Sequence, residues 1–353
     1  MKKKLIKKTG KILSAVIFTL FFISCTKNNT QKFSGNAEKK TDSSKQITIG
    51  FSIDTLAIER WQRDLDVFIN KARELGASVI VQNAGNNLEE QNRQLLYLLD
   101  RNVDVIVLLP LKDDGFTETL QKIKNKNIPV ISYDRLIRNS EIDLYVTIDS
   151  KKVGEIMAWG LLRENPKTNW YCILGAKEDY NMSLIMDGIN SVIKNSQYKI
   201  GHTFYTSGWN YDLAYEEMMR LLKNNNIPDA IICGNDAVAD SVISAINVYS
   251  QDLKIPVCGQ DADIAACQNI IQKKQAFTVY KPITKLAEVT AEYAVKLASK
   301  DQKEIISDVE DTIDNGAKEV PVLWLKPEYV NADNLDKVII DSGFHSYTEV
   351  YNK

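Results

Sequence analysis

Histidine is nearly missing from this chain: His202 and His345 are the only two in 353 residues. No H-E-x-x-H zinc motif and no G-x-S-x-G nucleophile elbow occurs, so the common metalloprotease and hydrolase chemistries are disfavoured. Both histidines read as structural, one inside a strand-like run and one near the tail. Phosphate-cradling loops are missing too. Neither G-x-G-x-x-G nor G-x-x-x-x-G-K-[ST] is present, which argues against a nucleotide ligand. Cysteine is sparse and never spaced as C-x-x-C; Cys172, Cys233, Cys258 and Cys267 sit in or beside apolar segments, as buried thiols do, with one disulfide left open. No metal and no cofactor is expected.

Positive charge shows no excess either: the formal net charge is −2. The lysines that exist are unevenly placed. MKKKLIKKTGK carries six of them and no acid, followed by ILSAVIFTLFFIS and then Cys25. A basic stretch before an apolar run too short to span a bilayer reads as an export leader over residues 1–24. Phe22-Ile23-Ser24-Cys25 resembles a lipobox, with Phe22 where leucine is usual, making Cys25 the expected lipidation site. Two acyl chains there would anchor the protein stably. Residues 25–46 are polar and aperiodic, a tether with a reach of roughly 25 Å. Without the six leader lysines the remainder carries −8, so nucleic acid is not an expected partner.

From residue 47 onward, short apolar runs alternate with amphipathic ones: ITIGFSI, ERWQRDLDVFINKARELG, SVIVQNA, NLEEQNRQLLYLLDRN, VDVIVLLP. After DLYVTID the series starts again with SKKVGEIMAWGLLREN and WYCILGA. Strands apolar on both faces, separated by helices, specify α/β architecture with parallel sheets; two successive doubly wound, Rossmann-like lobes fit better than one giant sheet.

Polar residues recur where these strands end. VISY runs into Asp134-Arg135, CILGA is followed by Asp179 and Asn181, AIICG by Asn235-Asp236, GQ by Asp261 and FTVY by Lys281; Asp54, Glu59, Arg60 and Trp61 follow the first strand. Ligands of open α/β sheets bind outside the carboxyl ends of the strands. Carboxylates and amides mixed with a few cations suit a neutral polyhydroxylated ligand, whose hydroxyls both donate and accept. Trp61 and Trp209 offer flat apolar faces for sugar C–H groups. Each residue also has a plain reading. Asp and Asn after a strand are often helix caps, Asp134–Arg135 fits a solvated ion pair, Trp61 fits helix packing and Trp209 a loop plug. A carboxylate pair such as Asp134 with Asp261 could also serve a glycosidase, whose separation the sequence does not fix.

Certain motifs carry more information. E-R-W at residues 59–61, Y-D-R at 133–135, G-N-D at 234–236, G-Q-D-A-D at 259–263, V-Y-K-P-I at 279–283 and the terminal SGFHS appear in order. From about residue 47 to 345 they resemble the xylose-binding group of type I periplasmic binding proteins, which serve bacterial ABC transporters. The resemblance implies two lobes joined by a three-crossover hinge, residues 47–151 with 283–324 and residues 152–282 with 325–353. Crossings fall near residues 149–153, 281–284 and 323–327. It implies no catalytic residue and assigns sugar contacts to Arg60, Asp134, Arg135, Asp179, Asn181, Trp209, Asn235, Asp261 and Lys281, with Trp61 beside them. The loop around Asp179 departs from the family pattern, with Tyr180 intruding. No Ca²⁺ loop of the galactose-binding type is present.

The expected function is therefore an extracytoplasmic, lipid-anchored, monomeric clamp that closes on an aldopentose such as D-xylose and docks on a permease. The same clamp could instead feed a sensor kinase or chemoreceptor. A cytoplasmic repressor of this fold is disfavoured by the leader and by the lack of a helix-turn-helix.

Overall fold

The apolar runs become strands because each is covered on both sides. A computed structural model of the chain describes residues 46–164, 167–299 and 309–351. The expected leader, Cys25 and the tether up to residue 45 lie outside them. β1 (Thr48–Ile53), α1 (Glu59–Glu74), β2 (Ser78–Asn83), α2 (Leu88–Asp100), β3 (Val105–Leu109), α3 (Thr117–Lys124), β4 (Val130–Tyr133) and β5 (Leu144–Ile148) alternate down the first part of the chain. Every residue of β3, β4 and β5 is buried, as a parallel strand between helix layers requires. In α1, Trp61, Leu65, Phe68 and Ala72 recur at helical spacing and form its buried stripe.

The second series runs α4 (Ser150–Arg163), β6 (Asn169–Leu174), α5 (Tyr180–Ile193), β7 (Lys199–Tyr205), α6 (Tyr211–Lys223), β8 (Ala230–Cys233), α7 (Asp236–Tyr249), β9 (Val257–Gln260), α8 (Ile264–Ile271) and β10 (Phe277–Tyr280). Then come α9 (Ile283–Ser299), the antiparallel pair β11 (Thr312–Asp314) and β12 (Glu319–Leu325), β13 (Glu328–Val330) and a short terminal helix, Tyr347–Tyr351. Two sheets result. The first has the order β11-β12-β5-β4-β3-β1-β2 and the second β13-β10-β9-β8-β6-β7. All neighbours pair in parallel except β11–β12 and β10–β13.

The chain passes between sheets at Asp149, at residues 281–282 and at residues 326–327, because β12 pairs with β5 while β13 pairs with β10. Helix α9 accordingly packs on α1 and on strands of the first sheet. All four described cysteines are free and buried, and burial alone pushes the Cys172 thiol up to about 12.

Helices α4 and α5 touch backbone to backbone. A Cβ on Gly154 would collide with the Ile185 carbonyl, and one on Gly188 with the Lys151 carbonyl. Alanine normally stabilises a helix interior relative to glycine by up to about 1 kcal/mol. Here the sign should reverse: Gly188→Ala is expected to destabilise by about 2 kcal/mol through overpacking, read as a lower urea midpoint at unchanged slope. A neutral or stabilising result would mean the helices can separate freely.

Candidate ligand-binding site

The carboxyl ends of both sheets meet around one small cavity of about 30 Å³. All ten candidate contact residues line it, namely Arg60, Trp61, Asp134, Arg135, Asp179, Asn181, Trp209, Asn235, Asp261 and Lys281, whereas Asp54 and Asp236, also at strand exits, do not. Ile58, Met182 and Gln260 complete the lining. A larger groove, about 870 Å³, opens at the base of the second sheet between Ile246, Leu253, Lys254, Lys273 and Lys274. Size does not decide between them; converging buried charge does, and that is found in the small cavity.

Asp134 and Arg135 do not pair with each other. Asp134 binds the Arg60 guanidinium and accepts a hydrogen bond from Asn181 Nδ2 at 3.1 Å. Arg135 donates from Nη1 to Asp54 at 2.6 Å and to the Pro110 carbonyl at 3.1 Å, and from Nε to Asp179 at 2.8 Å. Asn181 and Asp179 belong to the second lobe, so both residues of the pair bridge the cleft. Opposite them, Asp261 Oδ1 lies 3.6 Å from Arg60 and 3.4 Å from Lys281 without a hydrogen bond to either.

Two of the acids sit on strained backbone. Asp134 has φ of 61° and Asp261 of 100°, in the region that favours glycine. The Asp134 carbonyl is held by the Tyr145 hydroxyl at 2.9 Å and the Thr147 hydroxyl at 2.7 Å. Strain at such a position persists only where surrounding bonds over-determine it, and that pattern is characteristic of binding sites.

The cap readings also hold for some residues. Asn235 Oδ1 accepts from the Val238 amide and Asp179 Oδ1 from the Asn181 amide, so each caps a helix while facing the cavity. Trp61 is both core and wall: it is 3 % exposed, and the Arg60 guanidinium lies 4.4 Å from its ring centre. Trp209 lies directly against Gly175, where any Cβ would strike the indole. The histidines are structural, as expected: His202 bonds Glu217, and His345 Nε2 lies 2.7 Å from the Ala262 carbonyl.

Three cations face five carboxylates here: Arg60, Arg135 and Lys281 against Asp54, Asp64, Asp134, Asp179 and Asp261. Burial pushes the Asp134 carboxyl up, but Arg60 and Lys281 overcome it and hold the group down at about 2. Burial lowers the guanidinium of Arg60, yet Asp134, Asp64 and Asp261 together leave it raised. Asp64, which sequence reasoning passed over, behaves differently. It accepts from the Tyr133 hydroxyl at 2.7 Å, but its Oδ1 has no partner and Arg60 stands 3.7 Å away. Burial dominates and raises it to about 7, with Arg60 and Tyr133 opposing and Asp134 adding.

Asp64 binds a proton more tightly folded than unfolded, so its contribution is fully present below 3.8 and fades as pH rises through about 7. Asp134 works oppositely, stabilising above 3.8 and losing that contribution toward pH 2. Asp64→Asn should therefore raise the thermal midpoint at pH 7 by the equivalent of at least ~1 kcal/mol and change little at pH 4. Equal effects at both pH values would count against a protonated Asp64.

Orphaned polar atoms gather around the cavity: Arg60 Nε, Trp61 Nε1, Asn181 Oδ1, Trp209 Nε1, Gln260 Oε1 and Asp261 Oδ1 are buried without a hydrogen bond. Native proteins leave few such atoms, and a cluster of donors and acceptors around one space calls for a ligand offering both. The sequence signal for most of them was a polar residue at a strand exit; Gln260 appeared only within the G-Q-D-A-D motif, with no role of its own.

A family model described as a periplasmic binding protein domain matches residues 49–303. The D-xylose-binding periplasmic protein of Haemophilus influenzae is 36 % identical over 314 residues, covering 88 % of this chain and 93 % of its own length. Its Escherichia coli counterpart is 37 % identical over 311 residues, covering 87 % and 93 %. Among solved structures, a carbohydrate transporter solute-binding protein from Chloroflexus aurantiacus in complex with D-glucose superposes with a TM-score of 0.80 at 25 % identity, covering 88 % of this chain and 99 % of its own. An ABC transporter solute-binding protein from Clostridium phytofermentans with bound β-D-glucose gives 0.78 at 25 %, covering 86 % and 99 %. These relatives are solute-binding proteins rather than enzymes. On fold, motif order and extent of match, the chain belongs to the periplasmic binding protein family.

Proposed function

We propose that this protein captures a monosaccharide, D-xylose or a closely similar aldopentose, between its two lobes and delivers it to an ABC permease. The observation that carries this reading is the set of buried, partly unpartnered donors and acceptors that both lobes bring to one cavity. Arg60, Arg135 and Lys281 donate to sugar oxygens, Asp134, Asp179, Asp261, Asn181 and Asn235 take or share hydroxyl protons, and Trp209 with Trp61 covers the ring. The lobes are residues 47–151 with 283–324 and residues 152–282 with 325–353, hinged at the three crossings. A sugar that touches both lobes only when they close shifts the population by that differential affinity. The protein works outside the cytoplasm, held by lipid on Cys25, and as a monomer; loss of palmitate labelling in Cys25→Ala tests the anchor.

Two relatives bearing the D-xylose-binding name at 36 % and 37 % identity support the choice of sugar. A thermal-shift panel of aldopentoses and aldohexoses tests it, since a ligand bound only by the native state raises the midpoint. D-xylose should give the largest shift. A larger shift with glucose or ribose would overturn the specificity while leaving the sugar clamp intact.

A further inference from the structure

Gln260 stands out among the residues of the cavity wall that the sequence did not suggest. It is the last residue of β9, 3 % exposed, and its side chain reaches across to the exit of the neighbouring strand β8. There Nε2 donates to the Gly234 carbonyl at 2.6 Å. A carbonyl can only accept, so this bond fixes which end of the amide is which. Oε1 is thereby turned away from Gly234, and it is buried without a hydrogen-bond partner. The two strand exits are also pressed together at this level: a Cβ on Gly259 would collide with Asp236 and crowd the Asn235 carbonyl. The Gln260 amide is tied to that exit by its bond to the Gly234 carbonyl, next to Asn235.

Leaving a buried amide oxygen without a donor is costly, and the structure keeps this one beside a cavity where several other lining atoms are also unpartnered. We infer that Gln260 Oε1 is a ligand contact, accepting a hydrogen bond from one hydroxyl of the bound sugar, while Nε2 positions the Gly234–Asn235 turn beside it. The inference rests on the sugar-binding function proposed above. It adds a neutral acceptor to a site otherwise dominated by charge. A neutral acceptor discriminates because a sugar lacking that hydroxyl leaves the carbonyl unpaired, whereas the charged groups can re-pair among themselves.

The test is a cycle between side chain and hydroxyl. Affinities of D-xylose and of its monodeoxy derivatives are measured by calorimetry for the wild-type protein and for Gln260→Leu, with thermal midpoints recorded for both. At one hydroxyl position the wild type should lose about tenfold on deoxygenation and Gln260→Leu less than threefold; at the other positions the two should lose equally. A merely structural role would weaken all sugars alike and leave every deoxygenation penalty unchanged, and that result would overturn the inference. If Gln260→Leu does not fold or is too unstable to titrate, a second acceptor-free variant carries the comparison. Gln260→Met, which keeps the chain length and removes the amide oxygen, should likewise cut the penalty below threefold at that one position, and unchanged penalties at every position would overturn the inference. Failure of the wild type to bind any pentose would instead remove the proposed function, which separates the two outcomes.

Discussion

Asp134→Asn is expected to weaken D-xylose binding by ~2–3 kcal/mol, on the order of 100-fold, with the fold retained. Asparagine keeps the size of the side chain and tolerates the left-handed backbone at this position, where φ is 61°. What it removes is the charge facing Arg60. That guanidinium is buried and draws its principal compensation from Asp134, with Asp64 at 3.7 Å and Asp261 at 3.6 Å as weaker partners. Without it Arg60 must find its counter-charge at Asp261 and is drawn off its sugar-facing position. A calorimetric titration of the variant checks this, and affinity within threefold of wild type would contradict the role given to Asp134.

Replacing Arg135 should cost still more, and through a different route. Its guanidinium is shared between Asp54 of the first lobe and Asp179 of the second. In Arg135→Met those carboxylates face each other across a closing cleft with no cation between them. Burial already pushes the Asp54 carboxyl up despite Arg135, so removing the cation makes closure require a proton. The expected result is a loss of at least ~3 kcal/mol at pH 7, shrinking as pH falls toward 5 because protonation relieves the repulsion. Wild-type affinity should change much less over that range. Small-angle scattering adds an independent reading: the wild type should contract on adding xylose and the variant should not. A loss independent of pH would mean that Arg135 acts only as a sugar donor.

Much of this was legible in the sequence, and the physical reasons differ from place to place. Strands β3 and β5 announce themselves because burial on both faces demands unbroken apolar runs. The polar exits are legible because parallel sheets direct their carboxyl ends toward a common edge. Partner choice was not. Asp134 and Arg135 look like a local pair, yet their side chains bind other side chains 44 to 81 positions away, and no adjacency rule gives such distances. Asp64 was hidden for a related reason. Within ERWQRDLDVF it resembles the solvated face of a helix, and only the packing of Tyr133 beneath α1 buries it. Gln260 sits inside an apolar strand and carries no turn or charge signal. Its role becomes visible only when the carbonyl of Gly234 is seen to occupy one end of its amide.

Titration of D-xylose into the purified protein by calorimetry addresses the sugar clamp most directly. Binding at one site per chain is expected, with Kd of ~1 µM or tighter, as befits several desolvated charged hydrogen bonds from two lobes. Absence of heat and of any midpoint shift at millimolar xylose and other monosaccharides would contradict it.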